Sequence, residues 1–354
     1  MKILHVFKSK IYSGAENVVC QIILGLRDQY DFVYMAPRGP IEDKLKALGL
    51  YDTYYPIDRL DIKSIKAAVD DIKPDIVQAH DFTASVLCGL ALRGRVPTIS
   101  HIHSNPLWLS QRLNVNSLAY LAASPYFSHI IAVSSAVEEE YCYANKLKCG
   151  IKVLGNPFSV ERVLNQAKQD PDEDLASDIL YVGRFQEAKN PFGAIQIVEA
   201  YSKQYSDMNI KFKMVGGNEA RDQDLFDKCR DYVTNNGLTD LISFEGFQPN
   251  VYKYMAHTRV LLMPSAYEGF GLVALEAMAL GIPVVCSGAG GLSNIVDDSC
   301  GFICKEKDDY LSPLHTLLTD PDVYGKMSQG ASHRASQFDN MTDYLSQMSK
   351  LYTV

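Results

Sequence analysis

Short apolar runs alternate with longer amphipathic segments along the whole chain. The first half contains six predicted strands, at Ile3–Phe7, Phe32–Met35, Ile76–Gln78, Thr98–Ile102, Ile130–Val133 and Ile151–Val153. The second half contains six more, at Ile179–Tyr181, Ile210–Val215, Ile242–Phe244, Val260–Met263, Pro283–Cys286 and Gly301–Ile303. Helical patterns lie between them, at Ala15–Arg27, Ile41–Leu48, Ile62–Asp70, Ala194–Tyr205, Gln223–Asn235 and Gly271–Ala279. This alternation predicts parallel sheets covered by helices on both faces.

The strand–helix pattern runs twice, and a polar, acidic interruption at Gln166–Ser177 separates the two runs. We therefore expect an α/β fold of two doubly wound, Rossmann-like domains that face a central cleft. The first should span residues 1–165 and the second residues 166–335, with a helical tail at 336–354 that packs back on the first. Ligands of such sheets bind at the carboxyl ends of the strands.

Composition narrows the class of protein. The chain has 354 residues, of which 47% are hydrophobic and 21% charged, so it is neither disordered nor fibrous. Its net charge of −8 argues against a nucleic-acid partner. There is no apolar run of bilayer length and no signal-peptide pattern, and the eight cysteines form no C-x-x-C pair. We expect a cytoplasmic protein with reduced thiols and no metal site.

The most informative segment runs from Met263 to Met278, where a strand ends, a glycine-bearing turn follows and a helix begins near Gly271. Glu268 lies in the turn, and Glu276 lies eight positions later on an otherwise apolar stripe. A helix N-terminus suits an anionic or hydroxyl-rich ligand, and carboxylates accept hydrogen bonds from sugar hydroxyls. The alternative is that Glu268 caps the helix and Glu276 faces solvent.

This segment resembles the E-x7-E signature of the retaining glycosyltransferases of family 4, which have the GT-B fold. The resemblance spans most of the chain; its further motifs are the Gly14 loop, Asn156–Pro157, Val182–Gly183–Arg184–Phe185, Lys189–Asn190, Ala279–Val285 and Gly290–Gly291. It implies that Glu268 contacts the donor sugar and that Glu276 holds the nucleotide ribose. It also implies further contacts with the donor from the Val182–Phe185 motif and from the turn before the helix. The residues concerned are Gly183, Gly269, Phe270, Gly271 and Leu272.

Two cations follow the strand at Ile179–Tyr181. By resemblance, Arg184 and Lys189 clamp the donor diphosphate, where fixed positive charge would stabilise the leaving group without a metal. The alternative is a pair of solvated surface cations. One departure concerns Asn294, which stands where the family commonly has glutamate after the glycine pair. Asparagine keeps hydrogen bonding but loses the charge, so no role is carried over to it.

Two groups in the first half complete the candidate site. Gly14 lies in the loop between the first strand and the first helix, which the resemblance places beside the diphosphate; the alternative is an ordinary turn. His101 and His103 lie on one face at the end of Thr98–Ile102. The resemblance implies a histidine at this strand end near the donor sugar, and we assign that place to His103, the more C-terminal of the two. His80 is a candidate for the cleft wall.

The acceptor side is marked by charge. The 56 residues from Phe82 to Val137 contain no aspartate or glutamate but do contain Arg93, Arg95 and Arg112, with the only tryptophan, Trp108, between two leucines. A basic and apolar face suits an anionic membrane surface or a lipid-linked acceptor. The alternative is that buried strands and cleft walls simply lack acids.

The sequence therefore predicts a retaining, metal-independent glycosyltransferase without a cofactor. It would move a sugar from a nucleotide-sugar donor, expected to be a UDP-sugar, to a hydroxyl of a saccharide or lipid-linked acceptor. The expected setting is bacterial polysaccharide or glycolipid synthesis, in the cytoplasm at the inner face of the membrane. The alternatives are a nucleotide-sugar epimerase of the same fold and a non-catalytic subunit that binds sugar nucleotides.

Overall fold

The computed structural model describes residues 1–168, 175–217 and 222–353, with the main chain alone at Leu107. The chain forms two compact units. The first unit comprises Met1–Pro157 and Met341–Val354, and the second comprises Phe158–Asn340.

The first unit is built on a sheet of seven parallel strands in the order β3-β2-β1-β4-β5-β6-β7. The strands are β1 (Lys2–Val6), β2 (Asp31–Pro37), β3 (Tyr54–Ile57), β4 (Ile76–His80), β5 (Thr98–Ile102), β6 (His129–Ala132) and β7 (Ile151–Val153). The helices between them are α1 (Gly14–Leu26), α2 (Ile41–Ala47), α3 (Ile62–Ile72), α4 (Asp81–Leu92), α5 (Val115–Ala123) and α6 (Ser135–Glu140). Every residue of β4 and β5 is buried, as expected of central strands covered on both faces.

The second unit repeats the same topology with six parallel strands in the order β10-β9-β8-β11-β12-β13. They are β8 (Ser177–Val182), β9 (Phe212–Val215), β10 (Ile242–Gly246), β11 (Thr258–Met263), β12 (Val284–Cys286) and β13 (Gly301–Ile303). Its helices are α7 (Val160–Ala167), α8 (Pro191–Gln204), α9 (Gln223–Asn235), α10 (Tyr252–Met255), α11 (Leu272–Ala279), α12 (Leu292–Ile295), α13 (Leu311–Thr319) and α14 (Pro321–Ser336). Two apolar cores lie in this unit.

The chain ends in a helix, α15 (Met341–Tyr352), which belongs to the first unit and packs on α1. Its buried face joins the core beside β1, and the hydroxyl of Tyr352 donates to Oε1 of Gln78 on β4 over 2.5 Å. Packing is close: a Cβ at Gly25 of α1 would lie 2.4 Å from a methyl of Leu345. The predicted helical tail is thus present and docked.

The predicted strands match the observed ones closely, with one omission. β3 was missed because its sequence, Tyr-Tyr-Pro-Ile, is interrupted by Pro56, which removes a ladder donor. The sheet tolerates this proline because β3 is an edge strand.

The units divide at Pro157–Phe158 rather than at the predicted 165/166. Phe158 and Val163 are buried in a core of the second unit, so the start of α7 belongs there. The predicted linker, Gln166–Ser177, falls in large part outside the described residues. At the other end, the second unit continues to Asn340, five residues beyond the predicted 335, because the Asn340 side chain accepts from the Phe158 amide over 2.9 Å.

Among the described residues, no helix combines the length and the apolar character that crossing a bilayer requires.

Replacing Tyr352 by alanine should lower the free energy of unfolding of the first unit by about 3–5 kcal/mol, because a fully buried aromatic ring is lost. Phenylalanine should cost about 1–3 kcal/mol, because Oε1 of Gln78 loses its donor. Urea unfolding followed by the emission of Trp108 would measure both. Thr353→Ala at an exposed position is the control, and an unchanged midpoint for the alanine variant at Tyr352 would contradict the prediction.

Candidate active site

The topology gathers the predicted site residues of the second unit at one sheet edge. β8, β11 and β12 are neighbours, and their carboxyl ends lead into the segments 183–190, 264–271 and 287–291. The first two carry the predicted donor residues. Because parallel strands all end at the same edge, residues about 80 positions apart in sequence become neighbours.

Lys189 and Glu268 form an ion pair at this edge. Nζ of Lys189 donates to Oε1 of Glu268 over 2.5 Å, and the hydroxyl of Ser265 lies 3.4 Å from the same oxygen. The Glu268 side chain is only 9% exposed and that of Lys189 24% exposed, so the pair is largely removed from solvent. The two predicted donor residues are therefore brought into direct contact, and a diphosphate would compete with Glu268 for the lysine.

Asn190, the residue after Lys189, ties the two loops together. It adopts a left-handed conformation with φ of 49°, caps α8 by accepting from the Gly193 amide over 3.1 Å, and donates to the carbonyl of Pro264 over 3.0 Å. The amide of Tyr267 adds a bond to the carbonyl of Ala188 over 3.0 Å. These contacts explain why Asn follows Lys here: it holds the lysine loop against the Glu268 loop.

The glycine pair at 290–291 lies directly behind the Glu268 turn. Gly290 has φ of +56°, and a Cβ there would lie 1.8 Å from the carbonyl oxygen of Glu268. A Cβ at Gly291 would lie 2.4 Å from the carbonyl oxygen of Phe270. Only glycines therefore allow the turn that carries Glu268, Gly269 and Phe270 to pack here. Asn294, by contrast, lies with its side chain exposed on α12.

Glu276 is buried inside α11 and is held by two residues that the sequence did not reveal. The hydroxyl of Tyr252 donates to Oε1 of Glu276 over 2.8 Å, and Nη2 of Arg162 lies 3.8 Å from the same oxygen and 3.1 Å from the Tyr252 hydroxyl. Burial raises the pKa of Glu276, while Arg162 and the tyrosine hydrogen bond lower it. The solvated-face alternative for Glu276 is therefore wrong, because its side chain is 9% exposed.

Arg184 lies in the loop that follows β8, immediately after Gly183. Its side chain is partly buried, and in the amide orientation that satisfies both groups Gln186 accepts from Nε of Arg184 over 2.9 Å. Gly271 ends the loop that carries Glu268. It is the N-cap of α11, with φ of 95°, and Leu272 is the first residue of that helix. The predicted donor residues of this unit thus lie in two adjacent loops and in α11, which contains Leu272 and Glu276.

In the first unit, β1, β4 and β5 are neighbours, and their carboxyl ends lead toward Gly14, Asp81 and His103. Gly14 is exposed, and a Cβ there would meet nothing within 4 Å. The loop is fixed by Glu16, whose carboxylate accepts from the amide of Ser13 over 3.0 Å and from its hydroxyl over 2.5 Å. Burial raises the pKa of Glu16, and the neighbouring charge of Asp81 adds to the rise.

Four histidines cluster beneath this edge. Nδ1 of His5 lies 3.0 Å from Nε2 of His80, and Nδ1 of His80 lies 3.0 Å from Nε2 of His103. The rings of His101 and His103 are 4.1 Å apart, which confirms that they share one face. His5 was missed by sequence reasoning, since a single histidine inside a strand gives no signal of its own. Its partner is a neighbour across the sheet, not along the chain.

Burial favours the neutral form of all four imidazoles. Burial lowers the pKa of His5 to about 3, and it lowers the pKa of His80, His101 and His103 as well, with mutual repulsion adding to the effect at His5, His80 and His101. One nitrogen from each of His80, His101 and His103 lies within 4.8 Å of the others. Among the described residues this is the set that could hold a metal ion, although two of its members already hydrogen-bond to each other.

The basic and apolar side chains of the acid-free segment, residues 82–137, differ in how far they face solvent. Trp108 is partly buried and packs edge-on against Phe82, with ring centroids 4.8 Å apart. Arg95 forms an ion pair with Asp70, so its charge is already balanced. Its most exposed large apolar side chains are instead Leu113, 93% exposed, and Val115, 74% exposed, followed by Leu118 at 43%.

Comparisons with known proteins were made on sequence and on structure. A family profile described as "Glycosyltransferase Family 4" matches residues 12–162, and one described as "Glycosyl transferases group 1" matches residues 165–334. An uncharacterised glycosyltransferase of Methanocaldococcus jannaschii is 31% identical over 242 residues, 63% of this chain and 60% of the relative. A D-inositol 3-phosphate glycosyltransferase of Corynebacterium kroppenstedtii is 33% identical over 175 residues, 46% of this chain and 37% of the relative. The matches thus span about a third to three fifths of these relatives.

The fold is similar to that of solved structures, among them a glycosyltransferase of Rickettsia africae with a TM-score of 0.77 and 16% identity, over 99% of this chain and 97% of that one. The crystal structure of Anabaena HepE in complex with UDP-glucose matches with a TM-score of 0.81 and 21% identity, over 100% of this chain and 99% of that one. The expected fold class, two α/β units built on parallel sheets as in GT-B structures, is confirmed.

Acidification should destabilise the first unit. The histidines take up protons less readily when folded than when unfolded, so their contribution to stability is complete above the unfolded pKa of about 6.5. It is lost as the pH falls below that value, by up to about 1.4 kcal/mol per pH unit for each histidine. The raised pKa of Glu16, which lies in the same unit, acts in the opposite sense, above about pH 4.5.

Urea midpoints followed through Trp108 at pH 7, 6 and 5 would measure this loss. The exposed His257, in the second unit, provides the control as His257→Gln, which should leave the slope unchanged. Midpoints that stay level or rise on acidification would show that the cluster does not bind protons less readily in the fold.

Proposed function

Because the chain belongs to the family 4 glycosyltransferases, we propose that it moves a sugar from a nucleotide-sugar donor to an acceptor hydroxyl with retention of configuration. The observation that supports this best is the Lys189–Glu268 pair, which sets a cation and a sugar-binding carboxylate side by side at the end of β11. We take the donor to be a UDP-sugar. HepE, a structural neighbour, was crystallised with UDP-glucose, and UDP is the commonest donor nucleotide of the family that the sequence resembles.

The second unit supplies the donor contacts in this proposal. Lys189 and Arg184 carry the charge of the diphosphate, Glu268 orients the sugar, and Glu276 accepts hydrogen bonds from the ribose hydroxyls. Its partners Tyr252 and Arg162 both contact Oε1, and Oε2 would accept from the ribose. Fixed charges in a partly desolvated site act strongly, since little water competes with them.

The reaction proposed is a front-face displacement. The bond between the anomeric carbon and the diphosphate oxygen breaks, and the acceptor oxygen forms its bond on the same face. The proton of the acceptor hydroxyl passes to the departing phosphate oxygen. Neither carboxylate of the site is proposed as a nucleophile, because in this proposal Glu268 orients the sugar and Glu276 binds the ribose.

The experiment that tests the function is an incubation with a panel of nucleotide sugars, with and without saccharide acceptors and membrane extract. Release of nucleoside diphosphate that depends on an acceptor is expected. An epimerase would instead convert the sugar nucleotide alone, and a non-catalytic subunit would bind the donor without releasing diphosphate. Either result would overturn the proposal.

Replacing both Arg184 and Lys189 by alanine should lower kcat at least about 100-fold, because the charge of the leaving group loses its fixed partners. Initial rates of diphosphate release would measure the loss. The matched control is Lys326→Ala, which removes an exposed cation of the same unit on α14. Turnover that is unchanged in the double variant would rule out the assigned role.

Activity should survive EDTA, because Arg184 and Lys189 supply the positive charge that a metal would otherwise provide. Rates with and without excess chelator would be compared on the same preparation. Complete loss on chelation, followed by recovery with manganese or magnesium, would contradict this and would direct attention to His80, His101 and His103.

We propose a lipid-linked or membrane-surface acceptor, reached by peripheral contact at the inner face of the membrane. Leu113 and Val115 would insert into the interface, and burying each side chain would contribute about 1.5–3 kcal/mol. Insertion would add to the attraction of the exposed Arg93 and Arg112 for anionic lipid. The acidic residues of α6, Glu138–Glu140, follow the acid-free segment directly and would weaken that attraction.

Sedimentation with vesicles that contain anionic lipid should show binding that weakens with salt. The variant with Leu113→Ser and Val115→Ser should lose it, whereas Phe247→Ser, which removes an exposed aromatic side chain of the second unit, should not. A wild-type protein that stays in the supernatant at low salt would indicate a soluble acceptor instead.

A further inference from the structure

The two oxygens of the Glu276 carboxylate differ in their surroundings. Oε1 accepts from the Tyr252 hydroxyl over 2.8 Å and lies 3.8 Å from Nη2 of Arg162. Oε2 has no hydrogen-bond partner within the part of the chain that the structure describes, yet it is not one of the polar atoms that are fully enclosed. The side chain is 9% exposed, so a ligand can reach Oε2 and supply the missing donor.

The hydrogen bonds that end at Oε1 have one direction only. A guanidinium carries donors and no acceptor, and a tyrosine hydroxyl carries a single proton. Nη2 of Arg162 donates to the Tyr252 oxygen over 3.1 Å, so the Tyr252 proton is directed at Oε1 of Glu276. Both neighbours therefore act on the same oxygen, and the bond from the hydroxyl to an ionised carboxylate is of the stronger, charge-assisted kind.

Tyr252 is held in place independently of Glu276. Its amide donates to Oδ1 of Asn250 over 3.1 Å, and Nδ2 of Asn250 donates to the carbonyl of Gln166 over 3.0 Å. The guanidinium of Arg162 also lies over the Tyr252 ring, 5.8 Å from its centroid. The start of α10 is thus tied to α7, and both helices belong to the second unit.

The Glu276 side chain reaches toward the loops that carry the predicted donor residues. Side chains of an α-helix lean toward its N-terminus, and α11 begins next to Gly271, at the end of the Glu268 loop. Leu272 and Val273, one turn before Glu276, are only partly buried. A nucleotide bound at this edge of the second sheet can therefore meet Oε2 within the second unit alone.

We propose that Tyr252 and Arg162 are positioning residues of the donor site: they hold Oε1 of Glu276, so that Oε2 is presented to the ribose hydroxyls and ribonucleotides are selected over nucleotides without them. The proposal rests on the function given above. Without these partners the carboxylate would have to be ordered when the ligand binds, which costs affinity. It would also lose the two contacts that oppose the effect of burial on its ionisation.

The test compares UDP with its 2′,3′-dideoxy analogue by titration calorimetry on the full chain. The wild type should prefer UDP. Tyr252→Phe should weaken UDP by about 5- to 10-fold and the analogue by less than about twofold, because only UDP uses Oε2. The donor KM should rise by the same factor as the UDP dissociation constant, while kcat falls by less than about twofold.

Two further variants separate positioning from packing. Arg162→Gln removes the cation but leaves the tyrosine hydroxyl, and it should weaken UDP by about 2- to 5-fold and spare the analogue. The matched control is Tyr324→Phe on α14, whose ring lies against Arg259 near the start of β11, at the opposite end of that strand; it should change neither ligand. Melting followed by circular dichroism would show that each variant is folded.

Equal losses of UDP and of the analogue in Tyr252→Phe and Arg162→Gln would mean that these residues only support the fold and would overturn the proposal. Unchanged UDP affinity in both variants would overturn it too. In a Glu276→Ala background, Tyr252→Phe should cause no further loss of UDP, and a further loss would show that it acts by another route. A wild type that binds UDP with the expected preference but transfers no sugar to any acceptor would contradict the proposed function alone.

Discussion

Two buried carboxylates beside one short helix set the main constraint on the second unit. Removing a carboxylate from water costs several kcal/mol unless hydrogen bonds and an opposite charge replace the lost hydration. Glu268 finds them in Lys189 and Ser265, and Glu276 finds them in Tyr252 and Arg162. The loop after β8, the glycines behind the turn and the start of α7 are all positioned so that these partners can reach α11.

The two units solve a similar problem in different ways. Each repeats the order 3-2-1-4-5-6 in its sheet and gathers polar groups at the carboxyl ends of the strands. The second unit pairs opposite charges there, which suits an anionic ligand. The first unit instead uses imidazoles that burial keeps neutral, together with Asp81 and an exposed glycine loop. Neutral hydrogen-bonding groups suit hydroxyls. The second unit therefore offers mainly paired charges to a ligand, and the first unit offers mainly neutral hydrogen-bonding groups.

The sequence predicted the fold well because apolar residues recur along the chain with the spacing that is typical of strands or of helices. It failed at β3, where Pro56 interrupts the run, and at the unit boundary, where only packing shows that Phe158 belongs to the second core. Glu268, Lys189 and Glu276 were found because family motifs mark them. Arg162, Tyr252 and His5 were not, because they meet their partners across the fold. The position of Glu276 on an apolar stripe was the available signal for Arg162 and Tyr252. A carboxylate that is expected to be buried needs hydrogen-bonding or charged partners elsewhere in the chain.

The most direct test is the binding of UDP and of UDP-sugar to the full chain by titration calorimetry. If Glu276 holds the ribose and Glu268 the sugar, Glu276→Gln should weaken UDP by about 10-fold or more. Glu268→Gln should leave UDP within about threefold of wild type and weaken only the UDP-sugar. Glutamine at 276 can still accept from Tyr252, so the fold should persist. Unchanged UDP affinity in Glu276→Gln, or equal losses of both ligands in Glu268→Gln, would contradict the assignment of the donor site to these two carboxylates.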